Sequence, residues 1–276
     1  MQVTMSKHQG LGNDFLVYDI RQGLPFAGGN PDAQWASFAR DWCDRRFGIG
    51  ADGVLLLGRE GANQLTMVLY NADGSRAEIS GNGIRCLVQA AYWQDHIEGP
   101  ATYVVKTDAG VRTVEVLEGS PTSNVAQLSV SMGVVSDIGE PANWAALQCN
   151  PDRPVRHLSL GNPHSVVSVE DVADVNLQTL GALVPHVNLE IVAPGPEAHA
   201  ITMRVHERGS GITLACGSGA CASAVAAKAW GFVPASAPEV LVHMDGGDAR
   251  VRIDAATSEA TLIGPSVFIA NVVFHV

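Results

Sequence analysis

One stretch of this chain occurs twice, and the repeat decides the fold. Residues 66–71 read Thr-Met-Val-Leu-Tyr-Asn, and residues 202–207, 136 positions later, read Thr-Met-Arg-Val-His-Glu. At the same spacing, residues 80–83 (Ser-Gly-Asn-Gly) match residues 216–219 (Cys-Gly-Ser-Gly), and each turn opens an alanine-rich stretch. Each copy therefore predicts a strand, a glycine-rich turn, a helix and a further strand. We expect an α/β fold of two similar lobes related by a pseudo-two-fold axis.

The composition limits which classes of function are possible. The chain has 276 residues, enough for two lobes that each bury a core. Its formal charge of −11, from 17 basic and 28 acidic residues, argues against a nucleic-acid or anionic-membrane partner. No apolar run reaches the roughly 18 residues of a membrane helix, and the N-terminus does not read as a signal peptide. The five cysteines show no metal-ligand spacing, so we expect reduced thiols, no metal and a cytoplasmic protein.

Local signals place the remaining elements. Asn30-Pro31 predicts the start of a helix, because asparagine caps helices and proline suits their first position. A second helix is expected from about Asn176 to Val184. The polar segment 118–123 is the best linker candidate, and residues 267–276 lie beyond the second repeat and could return to the first lobe as a strand. We therefore expect one lobe from residues 1–118 with 264–276, another from 119–263, and an active site in the cleft between them.

The two glycine-rich turns are candidate ligand sites. A helix start exposes unpaired backbone N–H groups at the positive end of the helix dipole, and this favours a carboxylate or a phosphate. Neither turn carries a nucleotide-binding motif, and no GxSxG elbow surrounds either one. Cys216 stands at the second helix start, where a thiol is expected to have a lowered pKa, and its counterpart in the first repeat is Ser80.

At these residues the chain resembles the diaminopimelate epimerases. The motifs that carry the resemblance are Gly-Asn-Asp-Phe at 12–15, Asn-Ala-Asp-Gly-Ser at 71–75, Ser-Gly-Asn-Gly-Ile-Arg-Cys at 80–86, Gly-Asn-Pro-His at 161–164, Val-Asn at 187–188 and the block from 207 to 219. They span nearly the whole chain in order.

The resemblance implies two pseudo-symmetric lobes, each a mixed sheet wrapped around a central helix. It also implies a cofactor-independent, two-base conversion of LL- to meso-diaminopimelate by a cytoplasmic homodimer that serves lysine and cell-wall synthesis. Cys216 and position 80 would exchange protons with the substrate, and His164 would support them. The reacting carboxylate would bind to Gly81, Asn82, Gly217 and Ser218. The distal end of the substrate would bind to Asn13, Asn71, Asn162, Asn188, Glu207 and Arg208.

One residue departs from the family pattern, because Ser80 stands where the family has a cysteine. A serine hydroxyl is a far weaker acid than a thiol with a pKa of about 8.5. Three explanations remain open: an introduced Cys-to-Ser replacement, a natural and weakly active enzyme, or a divergent member. The last would be a one-thiol racemase, epimerase or dehydratase acting on another amino acid. An amino-acid-binding protein without turnover is a further alternative.

Overall fold

The structure, a computed structural model, describes residues 2–26 and 28–275 and confirms the α/β class. The helices are α1 (Pro31–Cys43), α2 (Gly81–Gln94), α3 (Leu177–Leu183) and α4 (Gly217–Trp230), with short 3-10 turns at Ile20–Gln22, Trp144–Leu147 and Val172–Asp174. The strands are β1 (Gln2–Gly10), β2 (Asn13–Asp19), β3 (Gly53–Gly61), β4 (Gln64–Asn71), β5 (Arg76–Ala77), β6 (Ala101–Thr107), β7 (Gly110–Glu118), β8 (Val125–Val134), β9 (Ser136–Asp137), β10 (Val155–Ser159), β11 (Pro163–Ser168), β12 (Asn188–Pro194), β13 (Ala200–Glu207), β14 (Gly211–Thr213), β15 (Val240–Met244), β16 (Gly247–Ile253) and β17 (Glu259–His275). Among the described residues, no helix is long and apolar enough to span a bilayer.

The chain divides into two compact units. The first comprises the residues up to Val130 and those from Pro265 onward, and the second comprises Ser131 to Gly264. Residues 119–124 join β7 to β8, which are antiparallel partners. In the first unit β17 pairs antiparallel with β1, as expected of a C-terminal strand that returns to the first lobe; Val276 lies outside the described residues.

The strand pairings of the two units confirm the internal duplication. In the first unit β1–β2 is antiparallel, β2–β3 parallel, β3–β4 antiparallel, β4–β6 parallel and β6–β7 antiparallel. In the second unit β10–β11, β11–β12, β12–β13, β13–β15 and β15–β16 follow the same sequence of directions. Each unit therefore repeats the same plan of strand directions.

The strands of each unit pack around one central helix, α2 in the first unit and α4 in the second. Every residue of α2 from Gly81 to Tyr92 is buried, and the alanines of α4 from Ala220 to Ala227 are fully buried. A helix that is apolar and buried on all sides is typical of a position inside a core. The small side chains of α4 let several strands approach it closely.

The helix signals in the sequence also hold. Asn30 caps α1 by accepting a hydrogen bond from the N–H of Asp32, and Pro31 is the first helical residue. Trp35 of α1 packs into the aromatic core of the first unit. Asn176 caps α3 through the N–H of Thr179, so the helix predicted near this position is present.

Candidate active site

Ser80 is the cap of the central helix of the first unit. Its extended backbone precedes α2, and its Oγ accepts a hydrogen bond of 3.0 Å from the N–H of Gly83. The first N–H groups of α2 have no acceptor within the helix, so the start of α2 is suited to an anionic ligand. The hydroxyl is therefore held at the anion-binding end of the helix.

Asn13 lies beside this helix start and is held by an acidic residue that the sequence did not single out. The side-chain amide of Asn13 donates to Asp52 Oδ2 at 2.7 Å, and Asn82 Nδ2 donates to Asn13 Oδ1 at 3.3 Å. Asp52 also accepts from Arg45 at 2.7 Å. Asp52 thus fixes the orientation of the Asn13 amide.

Buried Arg85 anchors the start of α2 from behind. It is fully buried and donates to Asn82 Oδ1 at 2.8 Å, to the carbonyl of Gly81 at 3.1 Å and to the carbonyl of Pro265 at 3.2 Å. These bonds hold Gly81 and Asn82, the two residues of α2 that are predicted to bind the reacting carboxylate. Arg85 belongs to the motif at 80–86, but the motif alone does not indicate this anchoring role.

Asn71 ends β4 and begins the turn that follows. Its side chain donates to Ser75 Oγ at 3.0 Å within that turn. The next residue, Ala72, donates its N–H to the carbonyl of Asp52 at 2.9 Å, and this bond brings the end of β4 next to the residue that holds Asn13.

Cys216 is the cap of the central helix of the second unit. The N–H of Gly219 donates to its Sγ at 3.4 Å, and Ser218 Oγ lies 3.6 Å from the same sulfur. Cys216 and Ser80 therefore occupy the same place in their units, as the repeat predicts. The Cys216 side chain is buried, with 5% of the residue exposed.

The lowered pKa expected for Cys216 is wrong for this structure. Burial raises the pKa of the thiol well above its usual value, and the nearby carboxylate of Glu207 raises it further. The hydrogen bonds from Gly219 and Ser218 act in the opposite direction but do not outweigh burial. Cys216 is therefore a neutral thiol at neutral pH and is suited to donating a proton.

A chain of hydrogen bonds leads from Cys216 into the core of the second unit. Ser218 Oγ accepts from Asn162 Nδ2 at 3.2 Å, Asn162 Oδ1 lies 3.1 Å from His164 Nε2, and His164 Nδ1 lies 2.6 Å from Glu190 Oε1. Sequence reasoning missed Glu190. The available signal was a single acidic residue in the otherwise apolar run of β12.

The end of β13 holds the remaining predicted residues. Asn188 Oδ1 accepts a hydrogen bond of 2.8 Å from the backbone N–H of Arg208, and Glu207 accepts from the hydroxyl of Thr213 at 2.5 Å. The side chain of Arg208 is exposed and makes no ion pair within the described ranges. Its guanidinium is thus placed to bind a carboxylate through two parallel hydrogen bonds.

Two solved structures illustrate how widely this fold occurs among proteins of low sequence identity to the chain. A predicted epimerase from Pseudomonas aeruginosa matches with a TM-score of 0.73 at 12% identity and covers 98% of both chains. A hydroxyproline epimerase from Agrobacterium vitis matches with a TM-score of 0.65 at 13% identity, over 99% of this chain and 92% of that one. At such identities the likeness shows the fold alone.

Sequence comparison identifies the family to which the chain belongs. The profile of the diaminopimelate epimerase family matches residues 5–137 and 157–269. The diaminopimelate epimerase of Thermosynechococcus vestitus is 37% identical over 97% of both chains, and that of Halothermothrix orenii is 33% identical over 100% of this chain and 99% of the relative. The chain belongs to the diaminopimelate epimerase family.

Proposed function

We propose that this chain interconverts LL- and meso-diaminopimelate without a cofactor, in the synthesis of lysine and peptidoglycan precursors. The observation that carries this proposal is the pair of equivalent helix starts, capped by Ser80 and Cys216, in a chain whose family profile covers both halves. An epimerase must remove the α-proton from one face of the substrate and return a proton to the other. Two equivalent helix starts, each capped by a side chain that can bear a proton, suit that task.

The backbone at both helix starts is proposed to bind the reacting carboxylate. Gly81 and Asn82 would serve on α2, and Gly217 and Ser218 on α4, because the first N–H groups of a helix favour an anion. This cradle would also stabilise the negative charge that develops when the α-proton leaves.

The side chains at the strand ends are proposed to bind the distal amino and carboxylate groups. Arg208 is the strongest candidate for the distal carboxylate because its guanidinium is exposed and makes no ion pair in the described part of the chain. Glu207 supplies a negative charge for the distal ammonium group. The asparagines of this site supply neutral hydrogen bonds: Asn13, Asn71, Asn162 and Asn188.

The two capping residues are proposed to have unequal roles. Cys216 carries its proton in the resting state, because burial and the nearby carboxylate of Glu207 raise the pKa of its thiol. Its minor thiolate form is the base: it takes the α-proton from one face of the substrate, and the thiol so formed exchanges with solvent and returns a deuteron to the same face. Ser80 is a poor base, because an alcohol gives up its proton far less readily than a thiol and the alkoxide that would act as the base does not form near neutral pH.

Ser80 also supports a second candidate function. A one-thiol relative that acts on another amino acid would keep Cys216 and the carboxylate cradle and would not need a symmetric pair of thiols. The two candidates differ in their substrate, so a panel of amino acids tested beside diaminopimelate separates them.

The test is α-proton exchange in D₂O with each isomer, using the parent chain and Ser80→Cys. We expect the parent to deuterate one isomer slowly with little inversion, and Ser80→Cys to deuterate and invert both. Deuteration is read by NMR and configuration by chiral chromatography. If Ser80→Cys leaves both isomers untouched, diaminopimelate is not the substrate. Equal exchange of both isomers by the parent would show that a second base acts besides Cys216.

We further propose that the protein works in the cytoplasm as a homodimer on a small-molecule substrate. The five cysteines are all free thiols, as suits a reducing compartment. Sedimentation velocity at micromolar concentration tests the assembly, and a monomer under these conditions would contradict it.

A further inference from the structure

The second unit buries an acidic residue against a histidine with no water-exposed surface on either. Glu190 and His164 are both 0% exposed, and Glu190 Oε1 lies 2.6 Å from His164 Nδ1. The other carboxyl oxygen, Oε2, is buried and has no hydrogen-bond partner within residues 2–26 and 28–275. A buried, ionised carboxylate with an unpaired oxygen is costly, whereas a neutral carboxyl needs fewer partners. The geometry therefore favours a protonated Glu190 that donates to His164.

The first unit has apolar residues at the equivalent positions. His164 and Phe15 each begin the parallel pairing of their strand with the next strand of the same unit. Glu190 and Leu55 each lie two residues further along that partner strand. Phe15 is 3% exposed and Leu55 0% exposed, so the first unit fills this space with a packed hydrophobic pair. The polar pair is thus not required by the fold.

The polar pair changes how an equivalent asparagine is oriented. Asn13 and Asn162 follow matching glycines with positive φ, Gly12 at 82° and Gly161 at 92°. The amide of Asn13 donates to Asp52 and turns its oxygen toward the second residue of α2. The amide of Asn162 has its oxygen on His164 and turns its nitrogen toward Ser218, the second residue of α4.

We propose that Glu190 is a positioning residue of the Cys216 site. Its neutral carboxyl donates to Nδ1 of His164 and so keeps the ring proton on Nε2. Nε2–H donates to Asn162 Oδ1, and this bond turns the Asn162 amide so that its N–H groups face Ser218 and the bound substrate. The effect on the substrate rests on the proposed function, but the histidine tautomer does not.

The pH dependence of the Glu190–His164 pair follows from the burial of the Glu190 carboxyl. Burial raises the pKa of Glu190 against the lowering effect of His164, and the neutral form that the geometry favours is lost as the pH rises through that pKa. The carboxylate would then need a proton on Nδ1, which leaves a lone pair on Nε2 facing the oxygen of Asn162. Glu207 on β13 also acts on this carboxyl and raises the pKa of Glu190 further.

The first test reads the tautomer directly by ¹⁵N NMR of the full-length protein labelled at histidine. The His164 signal is assigned by its loss in His164→Phe. We expect the Nε2–H tautomer at neutral pH in the parent and in Glu190→Gln, whose amide N–H can also donate to Nδ1. A change of tautomer at high pH is expected in the parent and not in Glu190→Gln. An imidazolium or an Nδ1–H tautomer in the neutral parent would overturn the proposal, whether or not the chain is active.

The second test separates orientation from folding, with diaminopimelate kinetics measured in the Ser80→Cys background. Glu190→Leu should raise KM about tenfold, the effect of losing one oriented hydrogen bond, while Glu190→Gln stays within about twofold. The double variant Glu190→Leu with His164→Phe installs the apolar pair of the first unit and should fold well. It should still show the raised KM, and it keeps the test valid if Glu190→Leu folds poorly. Parent-like KM in the double variant, or equal defects in Glu190→Gln and Glu190→Leu, would overturn the proposal.

Discussion

Replacing Gly219 by alanine should destabilise the second unit, although alanine is the better helix former. A Cβ at this position would lie 2.7 Å from Glu190 Oε1, 3.2 Å from Cys216 Sγ and 3.3 Å from Cys216 Cβ. Glu190 is held by His164 in a closed core, so the carboxyl has little room to move. Overpacking of this kind costs about 3 kcal/mol at the upper end of its range, and the helix propensity of alanine returns about 1 kcal/mol. We expect a net loss of about 2 kcal/mol.

Gly83→Ala is the matched control in the first unit. Its Cβ would meet Ser80 Cβ at 3.1 Å, Phe15 at 3.3 Å and Leu55 at 3.4 Å, all apolar carbon atoms at a looser distance. A cost of about 1 kcal/mol is then offset by a similar gain in helix propensity. Urea unfolding of both variants measures the difference, and Gly219→Ala should also melt about 5 °C below the parent. Equal stability of the two variants would refute the argument that the Glu190 carboxyl cannot yield.

Three other outcomes follow from the site. Ser80→Cys should raise diaminopimelate epimerase activity at least the ~10²-fold typical of restoring a general acid–base group; a variant no faster than the parent would favour another substrate. Arg208→Lys should weaken substrate binding by about 1.5–3 kcal/mol, because it keeps the charge but loses the planar fork, and an unchanged dissociation constant by calorimetry would place the distal carboxylate elsewhere. Iodoacetamide at neutral pH should label Cys149 before the buried Cys216, whose labelling should increase as the pH rises. Peptide mapping reads this order, and Cys216 labelled first at neutral pH would contradict the raised thiol pKa.

Local signals in the sequence predicted much of the fold. The repeat around Ser80 and Cys216 predicted both helix starts, and Asn30-Pro31 predicted the start of α1, because caps and turns depend on a few adjacent residues. The position of residues 267–276 beyond the second repeat also suggested a strand that could return to the first lobe. Each of these features can be read from spacing alone.

The chemistry of the site could not be predicted in the same way. The contact between His164 and Glu190 depends on the register of β11 against β12, and no local pattern encodes that register. The raised pKa of Cys216 follows from burial and from the carboxylate of Glu207, which together overcome the effect of a helix start. The role of Asp52 could not be predicted either, because its partner Asn13 lies 39 positions away in sequence and no local pattern joins the two.

The return of the last strand to the first unit sets an order for synthesis of the protein. A ribosome that has finished Val130 must add all of the second unit before it reaches Pro265, which takes roughly ten seconds or more at typical elongation rates. Until then β1 lacks its β17 partner and Arg85 lacks the Pro265 carbonyl, so the nascent first unit carries an open strand edge. A chain that stops at Gly264 keeps Ser80, Asn13 and Cys216 and still leaves that edge exposed, so loss of a dozen terminal residues becomes an aggregation defect.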